Sequence, residues 1–299
     1  MKRAAWIALA AALPLAAQPK LPPGARLDTR SAAQGLDREF QALLTATPQP
    51  AWIGYAVPST RTTSLGCEFV SQDGSSWSNG TVHLEPPAQA LILFRVVADA
   101  VERIRTISPF CEIDPGDAPF HWIADVASAQ SVALLSGFAT QDRPIASAIA
   151  AIAVHGDPAA EQALARFATS PANSGLLRQR AIAQLVSRPE PEALALLISL
   201  AQTNPDSKLR AQAVRELGHS RDAKAANAIG AVLDKDADSS VQSAACAALR
   251  SLPDGLGIPR LIQLASQTSS HQLRNQAMAL LRDSHDPRAL AFFESILTK

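Results

Sequence analysis

The 299-residue chain carries 27 basic and 27 acidic side chains, so its formal charge is zero and nothing electrostatic points to a nucleic-acid partner. Hydrophobic residues make up 47% and aromatic residues only 5%. A sizeable core must then be built from Ala, Leu, Ile and Val, which favours packed helices over a large sheet.

The first seventeen residues, MKRAAWIALAAALPLAA, stand apart. Lys2 and Arg3 precede a short apolar run from Ala4 to Leu13, and Leu15-Ala16-Ala17 forms a small-residue cleavage site. This is the pattern of a secretory signal peptide, and the run is too short to cross a bilayer. No Cys follows it for lipid attachment, and no later stretch is long enough for a span. The expectation is an exported protein, periplasmic or secreted, with no membrane span and residues 1–17 removed. An oxidising compartment allows Cys67 and Cys111 to form a disulfide, leaving Cys246 as a buried free thiol. No CxxC and no Cys/His cluster calls for a metal, and no cofactor is implied.

Residues 18–127 read as a small α+β domain. Leu36, Phe40, Leu43, Leu44 and Thr47 line one face of a helix. Residues 51–57, 65–71 and 80–86 read as strands, and residues 89–108 as a hairpin turning at Asp99-Ala100. The sum is a mostly antiparallel sheet. Within this part, CEIDPGDAPFHW (111–122) concentrates Glu112, Asp114, Asp117 and His121. Carboxylates with a His could hold a divalent ion or do acid–base work. The same segment reads as a turn, with Pro115-Gly116 and Pro119 as punctuation and the Asp residues bonding locally. His83, His121 and His155 are scattered singles, and Trp52, Trp77 and Trp122 suit packing. Asn79 opens an NGT sequon, relevant only in a eukaryotic secretory pathway.

Residues 128–299 have a different grammar. A helix is expected over 128–138. A second helix pair, with a turn at Gly156-Asp157-Pro158, fills 143–168. From about residue 174 the chain repeats every 32 residues. Ala181, Ala213, Ala245 and Ala277 share a column, as do Leu185, Leu217, Leu249 and Leu281. Ile182, Val214, Cys246 and Met278 form a third column, and Leu177, Leu209, Val241 and Leu273 a fourth. These positions make one face of a helix. A second helix in each unit carries the columns Leu194/Ala226/Ile258/Leu290, Leu197/Ile229/Leu261/Phe293 and Leu200/Val232/Leu264/Ile296. Two amphipathic helices per unit cannot bury their faces alone; stacked units can. Ser174, Asp206, Asp238 and Ser270 stand where they would cap the first helices. Glu190, Asp222, Asp254 and Asp286 stand where they would cap the second.

These units, of the type LRAQAVRELGHSRDAKAANAIGAVL with Arg210, Ala213, Leu217 and Gly218, resemble the HEAT-repeat family in the short form also found in phycobilin lyase-like proteins. The resemblance implies an α-solenoid of about five helix pairs over residues 143–299, used as a binding surface. Lyase activity is not carried over, because Cys246 sits in a core column. WIGYAVP, LEPP, LILFRV and VERIRTIS also resemble the front end of secreted bacterial HEAT-repeat proteins, whose chemistry is uncharacterised.

Arg178, Arg210 and Arg274, with Gln242 completing the column, fall within the apolar face. Such guanidinium groups need partners. The acids of the turns within each pair, as the resemblance also implies, are one answer, and each guanidinium is expected to meet a turn carboxylate or turn carbonyls in its own or a neighbouring unit; a ligand-binding row is the other. The reading as a whole is a mainly α, exported, non-enzymatic and monomeric module for a protein or peptide partner. The small domain would cap one end of the array. Its concave side would be lined by second helices, with Ser199, Asn227, Gln263 and Ser295 outward. The alternative is an enzyme or ligand-binding protein with its site near Asp114 and His121.

Overall fold

The computed structural model describes residues 17–46, 48–59, 65–67, 87–141, 145–188 and 190–298. The chain divides after Ala127 into two compact units. Most of the leader, the strand expected over 80–86, Trp77, Asn79 and His83 lie outside the described residues. Of the strand expected over 65–71, only 65–67 are described, and they are not extended into a strand.

The first unit is a five-stranded sheet with one helix. In chain order it runs β1 (Leu27–Ser31), α1 (Leu36–Ala46), β2 (Ala51–Pro58), β3 (Gln89–Val97), β4 (Ala100–Ile107) and β5 (Phe120–Ala124). The spatial order is β1-β5-β2-β3-β4. The expected antiparallel sheet is in fact mixed. β5 lies between β1 and β2 and runs parallel to both, while β2, β3 and β4 are antiparallel neighbours. The connections explain this. Residues 32–50, including α1, carry the chain back over the sheet from β1 to β2, and parallel strands need such a crossover. Residues 108–119, the segment read as a turn, bring β5 into the gap. The β3–β4 hairpin turns at Ala98-Asp99, both at positive φ (51° and 56°), as a tight two-residue turn requires.

Each face of the sheet has its own core. Leu36, Phe40 and Leu43 of α1 are buried, and Phe40 meets Phe94 edge-on at 4.8 Å. On the other face Phe120, Trp122, Leu91, Leu93, Ile107 and Cys111 cluster, with Cys67 and Trp52 against them. Gly54 lies beneath this cluster. A Cβ there would sit 2.7 Å from Leu93 and 3.2 Å from Phe120 and Trp122, so the aromatic rings occupy the room a side chain would need. Cys67 and Cys111 form a disulfide with Cα atoms 5.4 Å apart.

The second unit holds eleven α-helices among its described residues: α2 (Ser128–Ala139), α3 (Ile145–Ala153), α4 (Pro158–Thr169), α5 (Gly175–Leu185), α6 (Pro191–Thr203), α7 (Ser207–Leu217), α8 (Ala223–Lys235), α9 (Ser239–Ser251), α10 (Ile258–Gln267), α11 (His271–Arg282) and α12 (Pro287–Leu297). From α3 onward these are five pairs of a first and a second helix. The Ala181, Leu185 and Ile182 columns are buried at every member except Met278, which is half-buried. The closest helix contacts are not within the pairs. They join each second helix to the next first helix, as in α4–α5, α6–α7 and α10–α11, and the first helices α7 and α9 to each other.

All four first-helix caps form: Ser174, Asp206, Asp238 and Ser270 accept from backbone N–H groups of the first turn. The second-helix column departs from expectation. Asp222 and Asp286 cap as expected, but Glu190 makes no cap bond. Asp254 (φ 56°) lies inside the short helical turn Pro253–Gly255, and Gly257 precedes α10 instead.

The disulfide closes a loop across a sequence separation of 44 residues. Thiol titration of the denatured, unreduced protein should therefore find one free thiol, that of Cys246. Replacing both partners, as Cys67→Ser with Cys111→Ser, should lower the unfolding free energy by about 2–4 kcal/mol in denaturant titrations.

Candidate functional site

The half-buried arginine column resolves into a repeated contact at one edge of the array. Arg210 donates to the carbonyl of Asn204 (2.9 Å), Gln242 to that of Asp236 (2.9 Å) and Arg274 to that of Thr268. In each case the donor lies six residues beyond the carbonyl, and the carbonyl belongs to the residue that ends a second helix. Gln242 therefore belongs to the column by function. Arg178 reaches the Ala168 carbonyl at 3.4 Å. Arg210 also grips Asp236 through Nε (2.7 Å) and Nη2 (3.0 Å), tying the loop at 204–206 to the loop at 236–238. The carboxylate thus comes from the loop between units and not, as expected, from the turn within a pair. This contact raises the pKa of Arg210, and the guanidinium holds the Asp236 carboxyl below its ordinary value.

The opposite edge carries a second set. His155 is buried, with Nδ1 against the carbonyls of Ala151 (2.9 Å) and Ile152 (3.1 Å) and Nε2 against the hydroxyl of Ser131 (2.9 Å). Nδ1 then donates and Nε2 accepts. Burial pushes the imidazole pKa down to about 4. Arg188, also buried, donates to the carbonyl of His155 at 2.6 Å and to both oxygens of Glu190. Arg250 reaches the carbonyl of Asp283, and Arg288 that of Gly255. A Ser beside a His is a nucleophile–base pair in outline, but Ser131 and His155 are both sealed at zero exposure.

With the edges engaged in holding loops, the two rows of helices are the exposed repeating surfaces. Ser199, Asn227, Gln263 and Ser295 are all exposed on second helices. Ser199 and Gln263 share a repeat position with Ser295, whereas Asn227 lies one turn earlier. Gln263 accepts from Arg260 and donates to Gln267. First helices pack closely on one another along their row, above all α7 on α9, while α8 and α10 of the second row barely touch. Gly218 makes that approach possible: a Cβ there would lie 2.9 Å from the backbone of Ala248. The first-helix row is called the inner row below, and the second-helix row the outer. Gln179, Ala183, Arg215, Ser243, Asn275 and Ala279 lie on the inner row; each is exposed or half-buried.

In the first unit, Glu112 and Asp114 line a cleft of about 700 Å³ together with Lys20 and Arg105. Its floor is Trp52, Leu93, Ile107 and the disulfide. None of the four charged groups forms an ion pair among the described residues. Asp114 accepts from the backbone of Gly116 (2.9 Å), the local turn bond anticipated for this segment. His121 is not in the cleft. It alternates with Phe120 and Trp122 along β5 and so faces the α1 side, in register with Asp28 and Ile53. Its Nδ1 lies 3.1 Å from Asp28, whose pKa falls chiefly through this contact; its buried Nε2 has no partner among the described residues. Asp117 is exposed in the turn. The expected four-residue cluster is therefore split between two faces of the sheet. Among the described residues no three His, Cys, Asp or Glu side chains gather as metal ligands.

The profile of HEAT repeats matches residues 132–218, 172–250 and 196–282, which together span half of the chain. The chain belongs to the HEAT-repeat family. No curated protein matches it. Among solved structures, the HEAT array is similar to the complex of CpcE and CpcF of phycocyanin lyase from a Nostoc species, at 20% identity and a TM-score of 0.39, covering 50% of this chain and 97% of that one. It is also similar to human deoxyhypusine hydroxylase in complex with glycerol, at 18% identity and a TM-score of 0.36, covering 55% of this chain and 66% of that one.

Two expectations follow from the edges. Arg210→Ala should lower stability by about 1–3 kcal/mol, because it strips Asp236 and a loop carbonyl of a charged donor in a half-buried setting. Part of the loss should disappear in acid: Asp236 has a lowered folded pKa, so its pairing stabilises above the unfolded value near 3.8 and is lost as pH falls through the folded one, while the bonds from Arg210 to the Asn204 and Pro205 carbonyls persist. Denaturant melts of parent and variant should draw closer in acid without coinciding.

His155 has the opposite chemistry but the same direction. Its folded pKa of about 4 lies below the unfolded value of 6.5, so the unfolded chain binds more protons between the two. Stability should fall as pH drops through that window, by up to about 3 kcal/mol. In His155→Gln the slope of melting temperature against pH should flatten there, whatever the variant's starting stability.

Proposed function

We propose that this chain is an exported, non-enzymatic interaction module whose HEAT array holds a protein or peptide partner along its inner, first-helix row. The observation that carries the reading is the division of labour in the array. The polar residues that recur at the edges are engaged with loop carbonyls and carboxylates of the stack itself. The inner row presents small side chains with few charges, a surface suited to lie against polypeptide over several units. The Cys67–Cys111 disulfide and the leader pattern of residues 1–17 both favour an oxidising compartment outside the cytoplasm. The non-enzymatic reading is favoured by the sealing of Ser131 and His155, and by the separation of His121 from Glu112 and Asp114.

A second reading is favoured by the cleft in the first unit. Its apolar floor and four charged groups, two of each sign, would suit a small amphipathic ligand carrying both signs. One experiment separates the two. A photo-crosslinking side chain is placed at Gln179 or Asn275 on the inner row, and in parallel at Ser199 or Asn227 on the outer row, in protein exported by living cells. The expected result is one recurring adduct from the inner positions. Adducts from the outer positions alone would refute the surface assigned here. No adduct from either row, with turnover or ligand uptake abolished by Arg105→Ala and Asp114→Ala in a folded protein, would establish the second reading instead.

A further inference from the structure

The cleft of the first unit holds a cation with no acceptor. Arg105 of β4 stands opposite Leu93 of β3, so its side chain leaves the sheet on the same face as the apolar floor. It is half-buried, yet it donates no hydrogen bond and forms no ion pair among the described residues. The cations around it differ. Arg95 stands opposite Arg103, a like-charge pairing that disfavours a ladder, and meets Glu102 at 2.7 Å beside a shift in register. Arg103 is exposed and open to water. Lys20 places Nζ 3.4 Å from the Phe110 carbonyl and 5.8 Å from the centre of the Phe110 ring. A guanidinium presents five donors in a planar fork that matches a carboxylate, and keeping it against apolar side chains without an acceptor costs free energy. The opposite sign comes from a different element. Glu112 and Asp114 line the same cleft from the segment that leads from β4 to β5, and both are exposed.

We infer that the cleft binds a short peptide that carries an acidic and a basic side chain on either side of an apolar one. The inference rests on the second reading of the cleft and gives its ligand a class; it is independent of what the array holds. The acidic group lies against Arg105, whose fork takes a carboxylate with two parallel hydrogen bonds. The apolar side chain covers Trp52, Leu93 and Ile107. The basic group lies against Glu112 and Asp114. The charge pattern favours a peptide over other amphiphiles. The two signs belong to separate elements, the sheet and the segment crossing from it, so the ligand's own charges must stand apart, as side chains along an extended chain do. An amphiphile with a single anionic head would leave both carboxylates without a counterpart. The volume of about 700 Å³ lies within the range of sites for drug-sized molecules, so the cleft takes a few residues and not a folded partner.

Isothermal titration calorimetry on the disulfide-bonded protein tests this. The probe is the tetrapeptide Lys-Leu-Phe-Glu, acetylated and amidated so that only its side chains are charged. Two analogues carry Gln in place of Glu or in place of Lys, and dodecanoate serves as an anion with an apolar body and no basic group. The expected result is saturable binding of the probe, weakened about tenfold or more in either Gln analogue. Arg105→Ala should weaken the probe to the level of the analogue without Glu, and should not weaken that analogue further. Arg105→Lys, which keeps the charge and loses the fork, should fall between. Glu112→Ala with Asp114→Ala should act in the same way toward the analogue without Lys. The analogues interrogate the unaltered protein, so the test stands even where a variant fails to fold. A probe whose affinity is indifferent to the Gln replacements overturns the inference. Dodecanoate binding as tightly as the probe, and lost in Arg105→Ala, keeps the cleft as a ligand site and overturns the peptide class alone. If neither binds up to about 5 mM, the inference falls together with the second reading.

Discussion

The array depends on one contact: a side-chain donor that reaches back six residues to the carbonyl ending the preceding second helix. Helices leave their last carbonyls without backbone partners, and a stack of short helices multiplies that deficit. Arg210, Gln242 and Arg274 answer it from within the apolar face, each standing one position after the residue that anchors the first helix in the core. The loop is thereby fastened to the body of the next helix, and the two helices that flank it pack closely. Where the residue ending the second helix is acidic, as at Asp236, the same guanidinium spans two loops and the stack gains a tie between units.

The close approach of first helices follows from the same economy of space. Ala181, Ala213, Ala245 and Ala277 keep the core side of each first helix narrow, and Gly218 gives up its side chain where Ala248 crosses.

Which parts of this were readable in advance depends on how far apart in sequence the causes lie. A 32-residue period places like residues in like surroundings, so the helix pairs and their buried columns could be read from Ala181 onward. The first-helix caps were legible because the cause, an oxygen two or three residues before an N–H, is local. The Arg column was visible as an anomaly, but its acceptors are mostly carbonyls, which every residue has and no sequence pattern marks. Asp254 looked like its aligned neighbours, yet the turn at Pro253–Gly255 carries it past the capping position. The sheet was harder. β1 is exposed along its whole length and so lacks any apolar signature, and β5 is defined by parallel pairing with strands some seventy to ninety residues away. The cluster around His121 is divided for an elementary reason: adjacent residues on a strand face opposite ways, so His121 turns to the α1 side while Phe120 and Trp122 join the core on the side of Leu93 and the disulfide.

The disulfide has a mechanical meaning. It joins a residue shortly after β2 to one shortly before β5, two parallel neighbours, while β3 and β4 lie inside the loop it closes. Along the covalent chain, tension applied to the two ends would pass from β2 through the sulfur atoms to β5 and bypass the backbone of the hairpin. About 150 Å of contour is withheld from extension in this way, at some 3.5 Å per residue. Under such a load the hairpin would remain slack while the rest of the chain bears it.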